Sequence, residues 1–465
     1  MSAPGLDAAI AKLRADGARE ATVAAFAHAA GRLAAGERGV LPESEIEPVP
    51  SLPDADALPD PGDDVAEHLG RTVVLKLNGG LGTSMGMTRA KSLLEVRDGL
   101  SFLDIIARQV LDLRERYGTP GLPLVLMDSF RTSADSLAAL ARHGDLSGAL
   151  APDFLQSRVP KLLDDGTLAP VSWAPDPELE WAPPGHGDLY PALAGSGMLE
   201  RLLEQGYRWA FVSNADNLGA TLDPRILAWI AREDVPFLME VADRTPADRK
   251  GGHLAQRVGG AGLVLREVAQ TPEEDLDTFQ DITRHRFFNT NTIWLDLERV
   301  AADLAGDGVI DLPMIINRKT VDPADGASPA VIQLETAMGA AIASFPGARA
   351  LRVPRSRFLP VKTTDDLLVL RSDAYVLDER SHVVAAPDRA GATPPLVRLD
   401  PSWFRLVDEF DARFPAGPPS LVRCDALTVE GDVRFGRDVT VRGSVTVTQE
   451  GDAPRVVDDG SVLEG

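Results

Sequence analysis

Residues 72–92 read TVVLKLNGGLGTSMGMTRAKS. The opening run, Thr72–Leu77, is β-branched and aliphatic and predicts a buried strand. Four glycines then fall within the nine positions Asn78–Gly86, at Gly79, Gly80, Gly82 and Gly86. Glycine lets the backbone approach an anion and adopt positive φ, so that successive N–H groups can point at a phosphate. Thr83 and Ser84 add hydroxyls, and Lys91 adds a charge from the far side of the loop. Two familiar phosphate motifs fail on spacing. A P-loop needs lysine directly after its last glycine, and here Met87 follows Gly86. A dinucleotide fingerprint counted from Gly80 ends on Met85. A glycine cluster alone also fits a mobile surface loop. Its place after a buried strand, with a lysine downstream, favours a nucleotide phosphate cradle.

Working outward, strands and helices alternate. Ser101 and Asp104 form a capping box for a helix to about Tyr117. Strands are predicted at Leu122–Met127, Trp209–Ser213, Phe237–Val241, Leu263–Val268 and Thr292–Leu297. Helices are predicted at Ser133–His143, Pro224–Arg232 and Leu334–Ser344. This pattern is α/β, with a mostly parallel or mixed sheet covered on both faces. Ligands of such sheets bind beyond the carboxyl ends of strands, where the glycine loop lies. Upstream, residues 5–35 read as two short helices broken at Gly17. The acidic, proline-rich stretch 42–64 is expected to run extended over the surface. From Leu427 the chain repeats every six residues. Leu427, Val433, Val439 and Val445 form one series, and Val429, Phe435, Val441 and Val447 the other. Six-residue repeats with glycines at the turns indicate a short β-helix; a few β-hairpins are the alternative.

Length and charge bound the rest. The chain has 465 residues and a formal net charge of −23. An acidic protein of this kind is a poor partner for nucleic acid or an anionic membrane. Cys424 is the single cysteine, so no internal disulfide framework exists, which fits a reducing compartment. No run approaches the roughly 18 apolar residues of a membrane helix, and the N-terminus lacks a signal pattern. The expected location is the cytoplasm. Arginine far outnumbers lysine, whose positions are Lys12, Lys76, Lys91, Lys161, Lys250, Lys319 and Lys362. In a chain that otherwise uses arginine, these mark places where a compact ammonium is wanted.

The loop LNGGLGTSMG (77–86) does not stand alone. In order along the chain come LMDSF (126–130), FLQSRVPKL (154–162), PPGHGDLY (183–190), SNADNLGA (213–220), KGGHLA (250–255), FFNTNTIW (287–294), IQLETAMGAAI (332–342) and PRSRFLPVKTTDDLLVL (354–370). Together these segments resemble the eukaryotic-type UTP–glucose-1-phosphate uridylyltransferases, over about residues 70–450. The resemblance implies a Rossmann-like nucleotidyltransferase: a mixed sheet flanked by helices, with a short C-terminal left-handed β-helix. The division it suggests is 1–65 for the N-terminal helices and connector, 66–375 for the catalytic domain and 376–465 for the β-helix. Open sheet edges in that last part would allow a homo-oligomer.

The implied reaction is attack by the phosphate of glucose-1-phosphate on the α-phosphorus of UTP, with Mg²⁺ as cofactor. Residues carry over by position. Leu77, Asn78, Gly79, Gly80 and Lys91 match the nucleotide loop, and Met127, Gln156 and Gly185 match the uracil site. His186, Asn214, Asn291 and Lys362 match contacts to the sugar phosphate, with Gly252 and Glu267 as weaker candidates. Asn289 and Asn291 stand two apart on a predicted strand and so are expected to face the same side, where two amides suit sugar hydroxyls. Asp216 matches the metal ligand. Lys91 and Lys362 match the catalytic lysines, and Arg355 and Arg357 beside Lys362 suggest an anion site. Two departures stand out: Asp128 and Thr292 each occupy a position where asparagine is usual. Another sugar-1-phosphate as substrate, and a non-enzymatic nucleotide-sugar sensor, are the competing expectations.

Overall fold

In this computed structural model, residues 4–260, 262–451 and 453–465 are described. The run Thr72–Asn78 forms a strand at the heart of a ten-stranded sheet. On one side it pairs in parallel with Leu124–Asp128, which pairs in parallel with Asp153–Leu155. On the other side it pairs in parallel with Trp209–Asn214. The next strand, Phe287–Asp296, runs antiparallel to Trp209–Asn214 and to Phe237–Asp243, so the sheet is mixed. Side chains alternate across it. Val73 and Leu75 enter one core with Met127, Val212, Met239 and Ile293. Val74 enters the other with Leu126, Phe211, Leu238 and Trp294. Both faces are therefore apolar and covered, as a central parallel strand requires.

Local chemistry explains several helices. Ser101 accepts from Asp104 N while Asp104 accepts from Ser101 N, closing the expected capping box on Phe102–Tyr117. Asp223 caps Pro224–Arg232, with proline in its first turn, where the missing N–H costs nothing. The N-terminal helices Pro4–Ala15 and Glu20–Ala34 flank Gly17, whose φ is +83°.

Two sequence expectations fail. The connector 42–64 is not simply extended over the surface. Ile46–Glu47 adds an edge strand against His253–Arg257, and Ile46, Val49 and Ala55 are buried. Isolated apolar residues among the acids anchor it. The predicted helix Leu334–Ser344 is instead a strand, Ala330–Thr336, followed by a 3₁₀ stretch, Met338–Ala343. That strand pairs residue for residue with Met314–Thr320, and this cross-strand pairing claims Leu334–Thr336 before the small residues that follow can extend a helix back to them.

The C-terminal strands Leu396–Leu399, Ser420–Glu430, Thr440–Thr448 and Val462–Glu464 form a parallel sheet. Val433–Phe435 and Arg455–Val457 form a second parallel pair. Parallel pairing removes the hairpin alternative here. Leu427 lies beside Val445 and Val429 beside Val447, so adjacent rungs are three six-residue units apart. Both predicted apolar series are buried. They share one continuous core with a face of the central sheet.

Candidate active site

Leu77, Met127 and Phe154 lie side by side at the carboxyl ends of three parallel strands, with Asn214 next to Leu77. Just beyond this row the chain bends sharply. Gly79 turns so close to Gln156 that a Cβ would sit 2.1 Å from its Oε1. A side chain there would push the Gln156 amide aside, so the loop backbone and that amide form one wall. An amide that both donates and accepts suits the edge of a uracil. Gly80 is open, with nothing within 4 Å of a Cβ position. Gly82 and Gly86 adopt φ of +65° and +76°, which fold the loop back over the Lys91 stem. Lys91 N donates to Gly80 O, closing that loop at 3.0 Å.

Lys91 Nζ donates to Asp216 Oδ2 at 2.7 Å, and both side chains are partly buried. The phosphate lysine and the metal-site carboxylate expected from sequence therefore already touch. Asp216 sits in the turn after Trp209–Asn214. Below that turn lies Lys76, 2% exposed, donating to Ser213 Oγ at 2.6 Å and Ala220 O at 2.9 Å. Burial pushes the Lys76 ammonium down to about 7.

A backbone bond from Val361 N to Asp216 O brings in the segment that ends at Lys362. Lys362 is exposed, and among the described residues its ammonium has no hydrogen-bonded or ion-paired partner. Its charge offsets part of the burial that raises Glu267 above the usual carboxylate range. The expected anion site at Arg355 and Arg357 is not available. Arg357 is buried and holds Glu240 through Nε and Nη2, both at 2.7 Å. Arg355 pairs with Asp248 at 2.9 Å. Both guanidiniums are already committed to buried carboxylates, so only Lys362 is left to meet an anion.

The ring of contacts continues. Gly252 has no room for a side chain, since a Cβ would meet the Glu267 carboxylate at 2.4 Å. Asn289 N donates to Gly252 O, and the Asn289 amide bonds Asn291 from both of its atoms. These two asparagines do not sit on a flat strand with period two. Asn291 has φ +56°, and the register against Phe237–Asp243 slips between Glu240 and Val241, so a bulge aims them together. Among the described residues the Asn291 Nδ2 donor has no hydrogen-bonded partner. Thr292 lies fully buried opposite Glu240, and among the described residues its Oγ1 has no hydrogen-bond partner.

His186 closes the ring. Its Nδ1 accepts from Met338 N at 3.0 Å, and burial lowers its pKa to about 4. It is therefore neutral at pH 7, with Nδ1 as acceptor and Nε2 carrying the proton outward. Gly185 packs against Thr336, where a Cβ would be 2.4 Å from the carbonyl oxygen. Asp188, on the same loop, accepts from Ser157 N, directly after Gln156.

Asp128 is turned away from any base. It is fully buried, accepting at Oδ1 from Asn78 Nδ2 at 2.7 Å and Thr132 Oγ1 at 3.1 Å. The Asn78 side chain is thus turned inward too, leaving only its backbone for a nucleotide. Burial pushes the Asp128 carboxyl up to about 7, and Oδ2 has no partner. A raised carboxyl pKa costs stability as pH climbs from its unfolded value near 4 through 7. About three pKa units correspond to roughly 4 kcal/mol at full ionisation. In Asp128→Asn, the new amide leaves an unpartnered N–H costing about 1–3 kcal/mol. The variant is expected to be net more stable by about 1–3 kcal/mol at pH 8. That gain shrinks and vanishes as pH falls toward 4. Urea midpoints across this range check it, and a pH-independent difference would contradict the buried, uncharged carboxyl.

Sequence reasoning missed the wall facing Gln156. A cleft of about 930 Å³ is lined by Gly79, Leu81 and Gln156, but also by Arg19, Thr22, Phe130 and Trp181. The N-terminal helices, given no role from sequence, supply Asp16–Arg19 and Thr22 to it. Thr22 Oγ1 lies 2.7 Å from Ser157 Oγ. Phe130, at the end of the LMDSF segment, is 61% exposed on this wall, with the Arg131 and Arg158 guanidiniums 5.5 and 6.0 Å from its ring centre.

A family model described as UTP–glucose-1-phosphate uridylyltransferase matches residues 23–442. The chain belongs to this family. It is similar to the family's enzyme from Saccharomyces cerevisiae, 43% identical over 85% of this chain and 78% of that one. The barley (Hordeum vulgare) enzyme is 42% identical over 85% and 81%. A mutant UDP-glucose pyrophosphorylase from Leishmania major, solved in complex with UDP-glucose, superposes with a TM-score of 0.92 at 45% identity, covering 100% of this chain and 99% of that one. The Trypanosoma brucei structure gives 0.87 at 43% identity, covering 99% and 98%. Family membership thus spans both the site and the C-terminal sheets.

Proposed function

We propose that the chain transfers uridylyl from UTP to glucose-1-phosphate, giving UDP-glucose and pyrophosphate. One observation carries the site assignment: the glycine loop and the Asn214–Ala220 turn bring Lys91 and Asp216 into contact beyond the parallel strand ends. A phosphate oxygen of the sugar phosphate forms the new bond to the α-phosphorus, and the bond to the β-phosphate oxygen breaks. The nucleophile is already ionised, so no protein base is needed. What remains is alignment and charge neutralisation. Gln156 and the backbone at Leu77–Gly80, with Met127 and Gly185, hold the nucleotide. Lys91 meets its phosphates. Neutral His186 donates Nε2–H to the sugar phosphate, Asn214 lies beside it, and Gly252 and Asn291 face the sugar. Lys362 supplies the unpaired cation where negative charge gathers.

The donor set fits Mg²⁺ as a substrate-bridging ion. Among the described residues no group of three or more metal-ligating side chains exists. Mg²⁺ is commonly held by one or two carboxylates plus substrate phosphates, and Asp216 supplies such a carboxylate. When bound, the ion neutralises phosphate charge.

The domain limits proposed are 1–65, 66–375 and 376–465, the last as a left-handed β-helix whose support is parallel pairing and the six-residue repeat. The deciding assay mixes the protein with UTP, Mg²⁺ and individual sugar-1-phosphates and measures pyrophosphate. Release is expected with glucose-1-phosphate. Release only with another sugar-1-phosphate would transfer the assignment to that sugar, and none at all would sink the enzyme.

A further inference from the structure

Asp216 and Lys362 lie far apart in sequence, yet one backbone bond, Val361 N to Asp216 O at 3.2 Å, joins their segments. Asn217 adds side-chain bonds to that join. Its side chain is 2% exposed and spends both ends of its amide on the Lys362 segment. Nδ2 donates to Arg357 O at 3.2 Å, and Oδ1 accepts from Leu359 N at 2.8 Å. Oδ1 also accepts from Gly219 N at 3.2 Å, which fixes the amide plane within its own turn. Asn217 and Pro360 also form an isolated antiparallel bridge, and the amide extends this contact to Leu359 and Arg357. The fit is close: a Cβ at Gly219 would sit 2.5 Å from Ser356 O.

The outer ends are pinned as well. Arg357 Nη2 donates to Thr221 O at 2.8 Å, and Lys76 holds Ala220 O from below. Neither of those bonds reaches residues 359–362. Among the described residues, Asn217 alone ties the middle of that segment by side chain to the turn that carries Asp216.

We infer that Asn217 is a positioning residue that fixes the separation between the Asp216 carboxylate and the Lys362 ammonium. This rests on the roles proposed above for those two groups. It touches neither substrate. Its amide is matched donor to carbonyl and acceptor to N–H, a pattern that neither aspartate nor alanine reproduces. Displacing a charged group by about 1 Å can cost on the order of 100-fold in rate. The nucleotide wall at Gly79 and Gln156 lies on other strands and does not depend on this clamp.

The test is a cycle of Asn217→Ala with Lys362→Met, read by steady-state pyrophosphate release. Asn217→Ala is expected to lower kcat about 100-fold while KM for UTP moves less than about threefold. In the Lys362→Met background the same change should cost less than about threefold, because the distance it guards no longer matters. Asn217→Asp keeps the acceptor for Leu359 N but sets an oxygen against Arg357 O, and should fall between wild type and alanine. If Asn217→Ala does not fold, Asn217→Asp carries the same cycle. Equal losses with and without the Lys362 side chain, or parallel losses in kcat and UTP affinity, would overturn the inference. Failure of the underlying assignment looks different: Lys362→Met by itself would then turn over normally.

Discussion

Lys362→Arg lowers kcat by about 10²–10³-fold while the thermal midpoint stays within a degree or two of wild type. The two halves of this expectation have separate causes. The fold does not depend on the Lys362 side chain, which is exposed and unpartnered among the described residues. Its backbone is fixed independently, since Lys362 N donates to Asp366 Oδ2 at 2.7 Å at the capping box of the following helix. Chemistry depends on where the charge sits. An ammonium is a compact point charge on a flexible stem, whereas a guanidinium spreads its charge over a planar fork. Two arginines a few residues upstream show what the fork is used for here: Arg357 grips Glu240 through two nitrogens and Arg355 pairs with Asp248. Steady-state kinetics beside a melting curve checks both halves. Near-normal turnover would mean that positive charge alone suffices at this position.

The contrast between Lys362 and its arginine neighbours also marks how far sequence could go. A basic cluster was legible at 355–362, but which members were free was not. Pairing partners such as Glu240 and Asp248 come from distant segments, and no local pattern announces them. The glycine loop was legible because its requirement is local: the backbone takes positive φ at Gly82 and Gly86. The central strands were legible because β-branched runs buried on both faces leave few alternatives. The segment Leu334–Ser344 was misread because the small residues at 337–343 suit a helix, whereas Leu334–Thr336 pair with Met314–Ile316 and only Met338–Ala343 coils, as a 3₁₀ stretch. Asn289 and Asn291 were rightly brought together, but by a bulge and a positive φ, which period-two logic does not contain. The role of the N-terminal helices could not be read at all. Asp16–Thr22 acquires meaning only when folding sets it across a cleft from Gln156.

Asp216→Asn is expected to lower turnover by about 10³-fold and to raise the Mg²⁺ concentration needed for half-maximal rate. Its effect on UTP should run the other way. In the native site the Asp216 carboxylate holds the Lys91 ammonium at 2.7 Å, with both groups partly buried. With the roles proposed above, a lysine so engaged would exchange a carboxylate for a phosphate when nucleotide arrives, and the carboxylate would then be available to hold a cation. Asparagine keeps the shape but cannot hold Lys91 by charge. The released ammonium then meets the triphosphate without giving up a partner, so the dissociation constant of UTP measured without metal should fall or stay level. Lys91→Met predicts the mirror image: weaker UTP, and a carboxylate left unpaired that takes up a divalent cation more readily. Equilibrium titrations of UTP and of Mn²⁺ separate the two variants without any turnover. If Asp216→Asn weakens metal-free UTP binding as much as Lys91→Met does, the pair is a structural tie within the loop, and the exchange at the centre of the proposed site does not occur.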